Sequence, residues 1–121
     1  MPFIRITLSP AHPQAHAAIA ADTTRLIAEI LGKKAPLTAV LVEDVIGTWT
    51  IGGQTPPRAA HLEAVITAGT NSDAEKAAFL HAARIMLHRH CGTLPEATYA
   101  IVREVAASDW GYDGKTQASR R

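Results

Sequence analysis

One residue in this chain has chemistry that depends on where it stands rather than on its side chain. Pro2 lies directly behind Met1. A proline at that place ordinarily becomes the mature N-terminus when the initiator is clipped, leaving a secondary amine. With Met1 retained, the same nitrogen is a tertiary amide without basicity. An α-amino group titrates near about 8, so modest burial or a neighbouring cation would leave part of it neutral at pH 7, the range in which a general base works. The other candidates are scattered. His88-Arg89-His90-Cys91 holds metal-ligand types, but adjacent helix residues point apart while zinc needs convergent ligands. Cys91, beside Gly92, reads as a buried helix-end thiol rather than a nucleophile. No phosphate loop, dinucleotide fingerprint or nucleophile elbow is present.

A strand must carry the amine inward. Ile4, Ile6 and Leu8 alternate with Arg5 and Thr7, which predicts a half-buried strand starting at Pro2. Ser9 to Pro13 reads as a loop, and Pro13 to Leu31 as a helix with the stripe Ile19, Thr23, Leu26, Ile30, ended by Gly32 with Lys33 and Lys34 near its negative end. Thr38 to Val45 is β-branched and predicts a second strand. Gly47 to Gly53, around Trp49, predicts a short hairpin. After a linker containing Pro56-Pro57 the pattern restarts: a strand at Leu62 to Thr67, and a capping box Ser72-Asp73-Ala74-Glu75 opening a helix to Cys91. A strand at Thr98 to Val105 follows, then Trp110 to Gly114. Lys115 to Arg121 has no periodicity and predicts a loose tail unless a partner holds it.

The restart is an internal repeat. Helix-ending glycines Gly32 and Gly92 are 60 apart, prolines Pro36 and Pro95 are 59 apart, and Trp49 and Trp110 are 61 apart. Each half is β-α-β with its two strands parallel, since such crossovers are right-handed. The expected fold class is α+β: two tandem β-α-β units forming a four-stranded sheet with two helices on one face. The expected division is one domain, 1–121, with a first repeat 2–53, a linker 54–60, a second repeat 61–114 and a tail 115–121. The bare sheet face needs cover, so a homo-oligomer is expected.

Composition limits the partners. The chain of 121 residues has 47% hydrophobic and 19% charged residues, a net charge of +1 and 5% aromatics. That balance gives no reason to expect nucleic acid or a membrane as partner. No apolar run approaches the roughly 20 residues of a membrane span, and no signal-peptide pattern is read at the start. The lone Cys91 fits a reducing, cytoplasmic setting.

Pro2 opening a strand, the βαβ unit, Ala35-Pro36-Leu37-Thr38-Ala39-Val40 and Ile51-Gly52-Gly53 together resemble the tautomerase superfamily, in its short 4-oxalocrotonate tautomerase-like form. Cys91-Gly92-Thr93-Leu94-Pro95 and Asp109-Trp110 look more like malonate semialdehyde decarboxylase, a relative with two fused units. The resemblance covers residues 2 to 114. It implies a trimer, no cofactor, no metal, and catalysis by Pro2 as acid or base on a small 2-oxo or unsaturated carboxylate substrate. Isomerisation stands first; hydrating dehalogenation, decarboxylation, or a lapsed structural role are alternatives. Glu104 matches a strand glutamate that positions water in the hydrating members, and otherwise reads as an edge carboxylate; Glu43 is its counterpart in the first half. Trp49 and Trp110 match an aromatic that walls the pocket, and otherwise read as packing. The usual carboxylate-binding arginines are missing. The loop after the first strand has Ala11-His12, its repeat has Thr70-Asn71, and the strand position falls on Leu41 or Ala100. His12 could substitute as a cation, or be a surface cap residue. Arg103 and Arg5 are strand cations that could enter the pocket, or stay at an interface. His61, near the position corresponding to Pro2, is internal and offers no amine.

Overall fold

The computed structural model describes residues 1–120. Four strands, β1 (Phe3–Ser9), β2 (Ala39–Asp44), β3 (Ala59–Thr67) and β4 (Ala100–Val105), form one sheet in the order β2-β1-β3-β4. β1 runs parallel to β2 and β3 parallel to β4, while β1 and β3 are antiparallel neighbours. Helices α1 (His16–Leu31) and α2 (Asp73–Cys91) cover one face. This is the expected pair of βαβ units.

The repeat extends to the packing. Ile19, Thr23, Leu26 and Ile27 are buried on α1, and Phe79, Ala83, Met86 and Leu87, each 60 residues on, are buried on α2. Ile4 and Ile6 of β1 recur as Ala64 and Ile66 of β3, all fully buried. By that offset Leu62 stands for Pro2, and His61 for Met1. Thr23, buried among these apolar side chains, satisfies its hydroxyl by donating to the Ile19 carbonyl at 2.7 Å. α2 opens on the expected capping box. Ser72 Oγ accepts from the Glu75 amide at 3.1 Å, and Glu75 Oε1 accepts from the Ser72 amide at 2.8 Å.

The other sheet face is bare. Across it run Leu41, Arg5, Glu63 and Ile101 in one row, and Ala39, Phe3, Val65 and Arg103 in the next. Phe3, Leu41 and Ile101 are exposed, while the charges are paired: Arg5 Nε donates to Glu43 at 2.6 Å and Arg103 Nε to Glu63 at 2.5 Å. β2 and β4 are unpaired edges.

Three local expectations shift. Pro13–Ala15 forms a 3-10 turn before α1 begins, a tightening common at helix starts. β3 starts at Ala59, earlier than the hydrophobic alternation indicated; Ala59 and Ala60 are held by pairing with Ser9 and Leu8, although alanine has little strand preference of its own. The segment around Trp49 has only an isolated bridge, Ile51 with Gln54, closed by Gly52 and Gly53 at positive φ.

The largest correction concerns the end of the chain. Residues 115–120 are not a loose tail. β5 (Gly111–Tyr112) and β6 (Lys115–Thr116) form a hairpin whose two turn residues, Asp113 and Gly114, have φ of 54° and 73°. Asp-Gly is the dipeptide such a two-residue turn favours, so a readable signal was present. Gly111 cannot be replaced: a Cβ there would fall 1.8 Å from the Lys115 carbonyl oxygen. A 3-10 turn, Ala118–Arg120, then folds back, with the Gln117 amide donating to the Trp110 carbonyl and the Ala118 amide to Ala107, both at 2.9 Å. Arg121 lies outside the described residues.

Candidate active site at the amino terminus

Pro2 is buried at the head of β1, and its carbonyl accepts from the Ala39 amide at 3.2 Å. Antiparallel pairing sets the head of β1 beside the end of β3 (Phe3 opposite Val65), and the same end of the sheet receives the turn that follows α1. Gly32 closes that helix at φ 70°, a left-handed conformation that glycine adopts without strain. The chain thereby turns Lys33 and Lys34 toward the N-terminus.

A cavity of about 400 Å³ opens there, lined on one side by Met1, Lys33 and Lys34. Thr67 and Thr70 line it from the end of β3, and Tyr112, Gln117 and Arg120 from the C-terminal hairpin. The parts are tied to one another. Lys33 Nζ donates to Thr70 Oγ1 at 2.8 Å, and that hydroxyl donates to the Thr67 carbonyl at 2.7 Å. Asn71 Nδ2 donates to the Leu31 carbonyl at 2.9 Å, locking the loop after β3 to the end of α1. Trp110 Nε1 donates to Thr67 Oγ1 at 3.2 Å, so the indole backs the wall. Arg120 lies over the Tyr112 ring at 3.8 Å and donates to the Tyr112 carbonyl at 3.0 Å. The Gln117 side-chain nitrogen is buried and has no hydrogen-bond partner among the described residues. A buried donor without an acceptor is costly, and here it belongs to a residue lining the cavity.

The electrostatics run one way. The terminal amine, carried by Met1 with the initiator in place, is held below its usual value, first by burial and then by Lys33 and Lys34. Burial also lowers Lys33, with Glu75 and Glu104 opposing. The arrangement gathers cations and a free donor around an amine biased toward its neutral form, which suits an anionic ligand with a proton to lose.

The residues expected from sequence are dispersed. Pro2 and Trp110 do not line the cavity but adjoin it, Pro2 through Met1 in the chain and Trp110 through its bond to Thr67. Glu104 is near its rim but does not line it; its carboxylate pairs with Lys76 and accepts from the Gly69 amide at 2.9 Å, and these bonds hold it ionised below the usual range. His12 is at the opposite end of β1, its amide donating to Asp44 at 3.0 Å. Trp49 lines a separate hollow with His61 and Tyr99. Arg103 is bound to Glu63 on the bare face, its guanidinium held above its usual value by that carboxylate. Lys33, Lys34, Gln117 and Arg120 were not foreseen. Of these, only the lysines carried a hint, as two adjacent cations just past a helix-ending glycine. Among the described residues no three His, Cys, Asp or Glu side chains gather as a metal site, and no helix is long and apolar enough to cross a membrane.

No family model and no curated protein matches the chain. Solved structures do. A macrophage migration inhibitory factor-like protein from Entamoeba histolytica matches with a TM-score of 0.81 at 22% identity, covering 95% of this chain and 97% of that one. The fold is that of the tautomerases. A fused 4-OT symmetric trimer matches with a TM-score of 0.86 at 14% identity, covering 98% of both chains. Pt0534, solved after inactivation by 2-oxo-3-pentynoate, gives 0.87 at 10% identity with 98% of each covered. At these identities the likeness establishes the tautomerase architecture and nothing of the chemistry.

Proposed function

We propose that this protein is a cofactor-independent tautomerase of that superfamily, and that Pro2, freed by removal of Met1, is its general base. The observation that carries the reading is the cationic cavity at the head of β1, with its unpartnered Gln117 donor. Without Met1, the free amine would fall to Pro2, next to the cavity that Met1 lines, and burial and the two lysines would act on it in the same sense as on the Met1 amine. A neutral Pro2 takes a proton from the carbon beside a carbonyl and returns it elsewhere, moving the double bond. Lys33, Lys34 and Arg120 replace the missing arginines as carboxylate ligands, with Gln117 as a neutral donor. The engagement of Glu104 by Lys76 and Gly69 favours isomerisation over the hydrating reactions, which need a carboxylate free to hold water.

The test is covalent. The ynone 2-oxo-3-pentynoate, named with one structural neighbour, is an electrophile toward a neutral amine: nitrogen adds to the alkyne carbon remote from the ketone, and a proton goes to the adjacent carbon. Intact mass first shows whether Met1 is gone. The expected result is one added reagent mass, located on Pro2 by peptide mapping. Retention of Met1, or labelling only at lysine or cysteine, refutes the mechanism.

The bare face supports a homo-oligomer, with a trimer as the proposed form. Phe3, Leu41 and Ile101 are exposed between paired charges, and β2 and β4 offer free edges to a second copy. Sedimentation at micromolar concentration is expected to give a single trimeric species; a sharp monomer boundary refutes it.

A further inference from the structure

The amine cavity has a counterpart among the elements of the repeat, though not residue for residue. It is bounded by the head of β1, the end of β3 and the turn after α1; the repeat predicts a counterpart bounded by the head of β3, the end of β1 and the turn after α2. A cavity of about 340 Å³ lies there, lined by Leu8, Ser9 and Pro10, by Arg58 and Ala59, and by Cys91 and Gly92. Its size suits a small molecule. Ala59 heads β3, ahead of His61 and Leu62, which match Met1 and Pro2; all are internal, so no amine is available, and the polar groups differ.

Arg58 dominates. Each other arginine among the described residues has at least one acceptor: Arg5 has Glu43, Arg25 has Asp22 and Glu29, Arg84 has the Leu94 and Pro95 carbonyls, Arg89 has Asp22, Arg103 has Glu63, and Arg120 has the Tyr112 carbonyl. Arg58 has no acceptor among the described residues. Its guanidinium rests on Gly92 at the negative end of α2: a Cβ on Gly92 would stand 3.3 Å from Arg58 Cζ and Nε. Neither ring nitrogen of His12, also in the lining, is hydrogen-bonded among the described residues; only its backbone amide and carbonyl are used.

The nearby negative charges are occupied. Asp44 accepts from the His12 amide and from His16 Nε2, at 3.0 and 2.9 Å, and Asp22 is bound by His90 Nε2 at 2.6 Å. Cys91 adds none, because burial pushes its thiol up. A planar unpaired guanidinium, a free imidazole and an apolar wall of Leu8, Pro10, Ala11 and Ala59 form a receptor for a small organic acid. We propose that this cavity is a second binding site, non-catalytic, for a small organic carboxylate held by Arg58 and His12. It stands whether or not Pro2 is a base.

The test is titration of the full-length, isotope-labelled protein with fumarate, followed by backbone amide NMR. Saturable shifts are expected at residues 8–12, 58–60 and 91–92. Arg58→Met should weaken that response at least tenfold, with Arg58→Lys falling between, while the response around Lys33, Thr70 and Tyr112 is unchanged. Lys33→Ala should do the reverse. Arg58 is exposed, so both replacements should fold, as the unaffected amides will report. Absence of shifts at 8–12, 58–60 and 91–92, their persistence in Arg58→Met, or equal shifts from neutral fumaramide would overturn the proposal.

Discussion

Replacing Pro2 by isoleucine is expected to reduce turnover of phenylenolpyruvate or 2-hydroxymuconate by about 10²–10⁴-fold, the usual contribution of a positioned general base. A bulky second residue keeps Met1 in place, so the amine at the cavity is the primary amine of Met1, one residue out from the position the mechanism needs. Pro2→Ala is the informative companion. It still loses Met1 and so offers a primary amine, but without the ring that makes the nitrogen secondary and fixes its direction; its rate should fall between wild type and Pro2→Ile. Equal rates in all three would retire the mechanism.

The pH profile tests the same assignment from the other side. The base acts when neutral, so kcat/KM should rise with pH through the amine's folded value and then level off. Burial, Lys33 and Lys34 lower the terminal amine when Met1 carries it; acting likewise on Pro2, they should put the rising limb below the position of a free α-amino group. Lys33→Ala removes one of the lowering charges and should move the limb to higher pH while raising KM. A limb that stays in place would mean that the lysine does not face the amine.

Phe79→Ala carries the largest expected effect on stability. Phe79 of α2 is fully buried in the core, and deleting its ring leaves a cavity costing about 3–5 kcal/mol. That is a large part of the about 5–15 kcal/mol that holds a domain together. Urea unfolding should show the midpoint falling with little change in slope. Ile46→Ala provides the contrast. Ile46 is 101% exposed, and its truncation should change stability by no more than about 0.5 kcal/mol.

Those two residues also mark how far the sequence can be read. Phe79 belongs to a helical stripe that recurs 60 residues after Ile19, so its burial was legible from spacing. Ile46 follows a β-branched strand and looks just as apolar; only the end of β2 at Asp44 leaves it outside. Alternation in Ile4, Ile6 and Leu8, the capping box at Ser72, and glycines 60 apart are local signals, and they determined the two βαβ units and their sheet.

The site at Pro2 was legible only in its first residue. Alternation showed that a strand begins there, and the resemblance supplied a role for the amine. What surrounds it depends on contacts across the chain: the antiparallel register of β1 with β3 brings up Thr67 and Thr70, the turn at Gly32 delivers Lys33 and Lys34, and the Asp113-Gly114 hairpin returns Gln117 and Arg120. His12 follows the far end of β1, where the register with β3 brings Arg58 into the same cavity. Periodicity records which face a residue occupies, because that is set within one element. It does not record which end of a neighbouring element comes alongside, because that is set by register and by turns between elements. The sequence by itself determined the repeat, the layers and the singular position of Pro2. The cations around Pro2, and the second cavity with its unpaired guanidinium, were decided by tertiary structure alone.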